Sequence, residues 1–309
     1  MSSITKPRIL GFVGATASGK TSLALSVAQH IPCEIICMDS MQIYRNMDIG
    51  TAKPTHEEQS IAPHHMIDIV DPKDPYSVAE YVDTARKVIA DVLSRGNTPI
   101  LVGGTGLYLQ GLTMPMNYGG LPSDPAIRQQ LTEELSLIGP DALHDKLAQV
   151  DPASAARLHP NDTRRVIRAI EIYQLTGIPM SEHKTPTDAD SPYDFTLYAI
   201  DWPRHILHER INQRVDTMMQ DGLLDEVRSL VASGVSAQAQ SMQGLGYKEL
   251  LPVINDSLPL TDAVEQIKTG TRNYARRQLI WFRRDRRIQW LPSDELSTAA
   301  KHIIENWRK

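Results

Sequence analysis

Cysteine is scarce in this sequence: 309 residues hold two, Cys33 and Cys37. Both fall in or beside an apolar run that reads as a strand, where four steps separate them by roughly 13 Å. A disulfide needs Cα atoms within about 7 Å, so this pair cannot bridge in that conformation. Two cysteines are also too few for a zinc site without histidines at ligand spacing, and His56, His144, His159 and His183 are scattered. His64 and His65 are adjacent but have no third ligand nearby, and a turn or packing role is expected of them. A reducing compartment is the simpler inference.

Long apolar runs are missing as well. None approaches the ~20 residues needed to cross a bilayer. Met1 to Lys6 is short and polar, and the apolar run that follows, Ile9 to Val13, is too brief for a signal peptide. A cytoplasmic protein with no membrane partner is expected. No internal repeat and no low-complexity tract interrupts the chain. A basic excess is lacking too: the net charge is −5, which argues mildly against a nucleic-acid binder. That average conceals two clusters. Arg272, Arg276, Arg277, Arg283, Arg284, Arg286 and Arg287 are opposed only by Asp285, and Arg164, Arg165 and Arg168 share one short segment. Such runs are commonly solvated helix faces. Interleaving of the first with Tyr274, Trp281 and Phe282 makes a polyanion site an equal alternative.

What is present reads as alternating strands and helices. Ile9 to Val13 ends in a glycine-rich turn before a helix over Thr21 to His30. Strands are expected at Glu34 to Met38, Met66 to Val70 and Ile100 to Val102, with a helix over Tyr76 to Leu93 that has Ser77 near its start. This alternation predicts an α/β fold, a parallel sheet with helices on both faces. A chain of this length exceeds what single cores usually reach, so two domains or an insertion are expected. The stretch from Met114 to Pro125 is rich in Pro, Gly and Asn and suggests a linker. Asp124-Pro125 and Asp151-Pro152 each pair an N-cap with a first helical position, and Asp162 precedes a third helix that Gly177 and Pro179 would stop. Leu197 to Ile200 resembles a return to the sheet, followed by helices over His205 to Val231 and Ala263 to Phe282. The expected organisation is a core over residues 1–118, an all-helical insertion over 119–196, and a mainly helical second part of the core over 197–309.

The strongest chemical motif is Gly14-Ala15-Thr16-Ala17-Ser18-Gly19-Lys20-Thr21, a full G-x-x-x-x-G-K-[ST] match between a strand and a helix. Its glycines let successive N–H groups converge on one anion, and the helix N-terminus adds its positive end. Lys20 would reach the outer phosphate, and the Thr21 hydroxyl would hold Mg²⁺. The motif identifies a P-loop NTPase-like sheet but not a reaction, because any diphosphate or triphosphate fits the cradle. Asp39, at the end of the second strand, has three possible roles: general base, indirect partner of Mg²⁺, or helix N-cap. Gly103-Gly104-Thr105-Gly106 offers N–H groups and a hydroxyl beside the first loop, although tight-turn glycines are common. Val102 stands where many ATPases carry an acid, which counts against a motor-type enzyme. The residues alone leave a small-molecule kinase and a transferase with a diphosphate leaving group equally open. An ATP-driven binding module is weaker, since no coupling element is recognisable.

Further motifs resemble one family over essentially the whole chain. Beyond Gly14 to Thr21 they are Asp39-Ser40-Met41-Gln42-Ile43-Tyr44, Asp48-Ile49-Gly50-Thr51-Ala52-Lys53-Pro54 and His64-His65 with Asp68. Gly103-Gly104-Thr105-Gly106-Leu107-Tyr108, His159-Pro160-Asn161-Asp162, Arg165 with Arg168, and Gly244-Leu245-Gly246-Tyr247 complete the set. In order and spacing they resemble the bacterial tRNA dimethylallyltransferases. Ala15 departs from the family, which usually has Pro there, and the zinc-finger tail of eukaryotic relatives is absent. Enzymes that prenylate free adenine nucleotides share the phosphate loop and are the nearest rival.

The resemblance implies that dimethylallyl diphosphate occupies the cradle and that the acceptor is N6 of the adenosine beside the tRNA anticodon. The loop amides, Lys20, Thr21 and Mg²⁺ would then neutralise the departing diphosphate. Asp39 would take the N6 proton, with Thr105 nearby. Arg214 and Arg272 are candidates for further diphosphate contacts, though Arg214 could equally be a helix-face ion pair. RNA contacts are implied at Asp39, Ser40, Met41, Gln42, Thr105 and Arg128. Others are implied at Arg164, Arg165, Val166, Ile167 and Arg168, and at Met242, Gln243, Gly244, Leu245, Gly246 and Tyr247. The adenine would be flipped out of the anticodon loop, and the helical insertion would clamp the stem-loop. A monomer is expected.

Overall fold

The computed structural model describes residues 6–113, 123–183 and 191–308. Most of the Met1 to Lys6 segment and of the 114–125 linker therefore lies outside the described residues. The chain divides into two compact units, one of residues 1–113 with 191–309 and one of residues 114–190.

The first unit is built on a six-stranded sheet in which every pairing is parallel. It runs through β1 (Arg8–Val13), α1 (Lys20–Ala28), β2 (Cys33–Cys37), α2 (His56–Ile61), β3 (His64–His65), α3 (Val78–Ser94), β4 (Thr98–Gly103) and α4 (Gly106–Thr113). The strand order is β3-β2-β4-β1, and the sheet continues beyond β1 with two later strands, β5 and β6. Strand β1 is buried throughout except at Arg8, as befits a central strand covered on both faces. On one face Leu10, Phe12, Ile35, Ile100 and Val102 pack against Leu23, Ala24 and Val27 of α1. Helix α3 covers the other face with Tyr81, Val82, Ala85, Ile89 and Val92, and its N-terminus is closed by a Ser77–Glu80 capping box.

The second unit is helical: α5 (Pro125–Val150, interrupted at Gly139), α6 (Pro152–Ala155) and α7 (Thr163–Thr176). Leu131, Leu143, Leu147, Val166, Ala169 and Ile170 form its core. Asp124 caps α5 through the amide of Ala126, and buried Asp151 caps α6 through that of Ser154. Asp162 makes no such cap and instead approaches Arg165 at 3.3 Å. Glu171 is fully buried and accepts from the Asp124 amide and from the guanidiniums of Arg128 and Arg168.

The chain then rejoins the sheet unit with β5 (Asp194–Asp201), α8 (Arg204–Gln220), α9 (Leu223–Ala232), α10 (Leu251–Ile254), α11 (Leu260–Phe282), β6 (Ile288–Pro292) and α12 (Leu296–Trp307). Four expectations are corrected. β5 starts at Asp194, in register with Arg8, so residues 194–196 belong to the sheet and not to the helical insertion. The helix over 205–231 is two, broken where Gly222 takes a left-handed φ of 99°. The strand expected over 66–70 shrinks to His64–His65, because Met66 and Asp68 are left-handed (φ 62° and 55°) and only Val70 bridges, to Tyr44. β6 also adds an edge strand to a region read as mainly helical.

At the C-terminal edge of the sheet β2 and β4 almost touch. Met38 N donates to Val102 O at 2.7 Å and Thr105 N to Met38 O at 3.2 Å. A Cβ added at Gly103 would lie 2.0 Å from the Met38 carbonyl oxygen, which is backbone and cannot swing aside. Gly103→Ala should therefore cost about 1–3 kcal/mol or more by overpacking and part Asp39 from Thr105. Chemical unfolding of both forms, beside circular dichroism, checks this.

Candidate active site

Three strand ends meet at this edge, and each delivers one part of the site. From β1 comes the phosphate loop. Gly14 (φ 126°) and Gly19 (φ 91°) adopt left-handed backbone that L side chains avoid, and the loop curls onto the N-terminus of α1. Ala15 and Ala17 are buried beneath α8 and α11, against Leu207, Ile211 and Ala275. The loop's outward carbonyls are tied down: Trp202 Nε1 donates to Ser18 O at 2.8 Å and Arg210 Nε to Ala17 O at 2.9 Å, with the Arg210 guanidinium stacked on the Trp202 ring. The Ser18 hydroxyl is buried without a partner.

From β2 comes Asp39, half-buried, its Oδ1 accepting the Met41 amide at 2.9 Å in a local turn. The helix-cap role weighed for it is not what forms; the cap closes a turn, and no helix follows. From β4 comes Thr105, whose Oγ1 accepts the Ser40 amide at 3.0 Å.

Two cavities open on these ends. One of about 50 Å³ is lined by Thr16, Lys20, Thr21, Asp39 and Arg214, among others. One of about 530 Å³ shares Lys20, Thr21 and Arg214 and extends along the 48–59 segment. Lys20 donates to Ala15 O at 3.3 Å. Burial pushes its ammonium down to about 8, Arg214 adding to the effect and Asp39 opposing it. Arg214 lines both cavities and forms no ion pair or hydrogen bond within the described residues, and burial and neighbouring Arg210 lower its pKa. Two cations and a hydroxyl line one space, and Arg214 there has no ion pair among the described residues, an arrangement suited to a polyanion.

Arg272 does not join them. Its guanidinium is held by Asn212 Oδ1 at 2.6 Å and Thr269 Oγ1 at 2.8 Å, and it lines neither cavity. Of the seven clustered arginines, Arg283 is bound to Asp201 and Arg287 to Asp285, while Arg276, Arg277, Arg284 and Arg286 are exposed. Exposed Trp281 lies over Gly106, next to Thr105.

The segments expected to contact RNA are narrowed by burial. Val166, Ile167, Met242 and Tyr247 are buried, so their side chains cannot reach a ligand at the surface, and Gly244 and Gly246 are covered as well. Gln243 is exposed and Leu245 half-exposed. Arg164 and Arg165 are exposed, whereas Arg128 and Arg168 spend part of their charge on Glu171. Gln42 turns inward: Nε2 donates to Thr51 O and Ala52 O, and the Cys37 thiol, kept protonated by burial and Asp39, donates to its Oε1 at 3.1 Å.

Two contributors were missed from the sequence. Gln278 on α11 is buried; its Oε1 accepts the Thr16 amide at 2.8 Å and its Nε2 donates to Gly104 O at 2.9 Å, bolting the phosphate loop to the β4 turn. His64 donates through Nδ1 to Ala62 O and leaves Nε2 unpartnered in the wall of the smaller cavity. Gln278 carried no local signal, being one polar residue among arginines.

Thr21 also fits a role toward Mg²⁺. It lines both cavities, and its hydroxyl makes no hydrogen bond among the described residues. No group of three or more acidic, His or Cys side chains suited to a metal occurs among the described residues, so the ion would rest on Thr21, diphosphate oxygens and water.

Lys20 gives a pH prediction. A bound diphosphate favours the ammonium form and so raises the lysine's pKa above its free value of about 8. Affinity for inorganic diphosphate should be full below that pH and fall by up to about tenfold per unit as pH rises through it. Calorimetric titrations on either side of it check this, and Lys20→Met should abolish the dependence.

Comparison with known proteins agrees with this geometry. A model described as IPP transferase matches residues 42–285, and one described as isopentenyl transferase matches residues 7–67. The chain is 47% identical over 286 residues to a tRNA dimethylallyltransferase of Pelotomaculum thermopropionicum, covering 93% of this chain and 91% of that one. It is 46% identical over 303 residues to the tRNA dimethylallyltransferase of Bacillus subtilis, covering 97% and 96%. Among solved structures, the tRNA isopentenylpyrophosphate transferase of Bacillus halodurans superposes with a TM-score of 0.72 at 39% identity, over 97% of this chain and 98% of that one. A eukaryotic dimethylallyltransferase acting on tRNA gives 0.79 at 30% identity, over 94% and 75%. No helix among the described residues is long and apolar enough to cross a membrane. With one family model spanning more than half of its length and relatives this similar along nearly all of it, the chain belongs to the IPP transferase family.

Proposed function

We propose that this protein transfers the dimethylallyl group of dimethylallyl diphosphate to N6 of the adenosine next to the anticodon of tRNA, releasing diphosphate. One observation carries the reading: the cationic cradle of Lys20, Thr21 and Arg214 opens into the same small cavity as the carboxylate of Asp39. A leaving group and a proton acceptor thus share one space. The names of the relatives support tRNA as the acceptor.

The loop amides, Lys20 and Arg214 bind the diphosphate and stabilise the charge that grows on it as the allylic C–O bond breaks. The N6 nitrogen forms the new bond to that carbon, and Asp39 takes the proton it sheds. Thr105, bonded to Ser40 beside Asp39, holds the base's turn in place. Mg²⁺ on Thr21 would add further neutralisation of the diphosphate. The acting species in this reading is a monomer. The cysteines are free and buried, in keeping with a cytoplasmic setting.

Exposed Arg164 and Arg165, with exposed Gln243, Arg276, Arg277 and Trp281, are the groups through which we assign RNA binding. Arg165→Ala should flatten the salt dependence of tRNA affinity by roughly one unit of slope without changing donor affinity. Arg168→Ala should in addition destabilise the helical unit, since it strips a partner from buried Glu171. Filter binding across salt, with thermal melts of both variants, separates the two outcomes.

The reaction itself is tested with labelled dimethylallyl diphosphate offered to bulk tRNA or to AMP; label should enter tRNA alone. Label in AMP would move the protein among the prenyltransferases of free nucleotides, and ADP formed from ATP would make it a kinase. Asp39→Asn keeps size and hydrogen bonding but cannot take a proton. It should bind both substrates and transfer about a hundredfold to ten-thousandfold more slowly in single turnover at saturation.

A further inference from the structure

The segment Asp48 to Pro54 was conspicuous in the sequence, yet no step of the proposed transfer uses it. It forms a wall: Asp48, Ile49, Ala52, Lys53 and Pro54 line the larger cavity, and Thr51, Ala52 and Pro54 line the smaller. A wall made of loop needs anchors, because loop backbone has no ladder to hold it.

The far half has several. Gln42 Nε2 holds the carbonyls of Thr51 and Ala52, and Lys53 Nζ donates to Tyr44 O and to the carboxylates of Asp48 and Asp68. The near half is also tied through the Asp48 carboxylate and the Asp48 and Ile49 carbonyls, but its three amides meet one acceptor. Glu226 Oε2 accepts the amides of Asp48 and Ile49, both at 2.8 Å, and Oε1 accepts the amide of Gly50 at 3.1 Å and the Tyr247 hydroxyl at 2.6 Å. Among the described residues no other side chain bonds these three amides.

Glu226 is itself held rigidly. It lies on α9 in line with Leu223, Val227 and Leu230, which are buried in a cluster with Ile43, Tyr44, Met47 and Tyr247. A Cβ on Gly50 would lie 2.6 Å from the Tyr247 ring, so the wall and the ring are already in contact. The four bonds use both oxygens of an ionised carboxylate, and charge-assisted bonds of this kind are stronger than neutral ones. Asp48 and Ile49 line the larger cavity, which shares Lys20, Thr21 and Arg214 with the smaller, and Tyr247 is buried at the end of the Gly244–Tyr247 turn.

We propose that Glu226 is a positioning residue of the transfer, whose carboxylate fixes the Asp48–Gly50 stretch, and with it the wall of the larger cavity, against Tyr247. It touches no substrate. The proposal rests on the function given above for its kinetic consequence, but not for its structural one.

Glu226→Gln is nearly isosteric and keeps one acceptor oxygen, but its NH₂ must face groups that are themselves donors. Two measurements test it. By hydrogen exchange, the amides of Asp48, Ile49 and Gly50 should exchange at least about tenfold faster in the variant, while those of β1 stay unchanged. In transfer assays corrected for active-site concentration, KM for dimethylallyl diphosphate should rise about tenfold with kcat within about threefold; a merely structural role would lower the active fraction and leave KM alone. If the three amides stay as protected as in the wild type, the proposal is overturned. Faster exchange with unchanged donor KM would overturn it too, because the wall would not position the donor. Should the wild type fail to use dimethylallyl diphosphate at all, the function is wrong, and the exchange result still decides the anchor. If Glu226→Gln does not fold, Gly50→Ala loads the same junction through the Tyr247 ring, and the same pair of shifts is expected.

Discussion

Met38 and Gly103 meet where the sheet ends, too close for a side chain on the second of them. That approach is the constraint on which the site depends. It sets the turn after β2 against the turn after β4, so that the Thr105 hydroxyl can accept the Ser40 amide and Asp39 shares a cavity with the phosphate loop two strands away. A parallel sheet makes this possible, because all its strands end on the same side and ligands gather at those ends. The crossovers that place β4 between β1 and β2 bring the turns after β1 and β2 to either side of one gap.

The phosphate loop is held in place by groups lying far from it in sequence. Gln278 spans Thr16 and Gly104, Trp202 and Arg210 hold the outward carbonyls, and α8 and α11 bury the methyls of Ala15 and Ala17. Donors aimed at developing charge help only if they need not reorganise when that charge appears. Arg214 lies on α8 with no ion pair among the described residues, one helical turn from Arg210, which already has its bond to the loop. The two arginines share a helix face and divide the work: one fixes the loop, the other faces the space above it.

Charge at the surface follows a similar division. A net charge of −5 coexists with arginines that split into those serving the fold and those left in solvent. Arg272, Arg283 and Arg287 are held by neighbours, and Arg128 and Arg168 neutralise a carboxylate that has no access to water. The exposed remainder is what a polyanion would meet. Counting arginines along the chain therefore overstates the electrostatic footprint.

The phosphate loop was legible in the sequence because its mechanism is local: eight consecutive residues, two of them glycines at left-handed positions, with a strand before and a helix after. The caps at Ser77, Asp124 and Asp151 and the apolar periods of α3 and α7 were legible for the same reason. The family's motifs named Asp39 and Thr105 as partners, and neither composition nor period could do so. Tertiary structure alone decided that Arg214 faces the cavity and Arg272 does not, since both sit on helices of similar charge. It decided that Met242 and Tyr247 are core, that Gln42 braces a wall, and that Gln278 and Glu226 bond to loops some 170 to 260 residues away from them in the chain. A hydrogen bond between residues so distant leaves no periodicity and no spacing to read. It exists only once the sheet has brought their turns together.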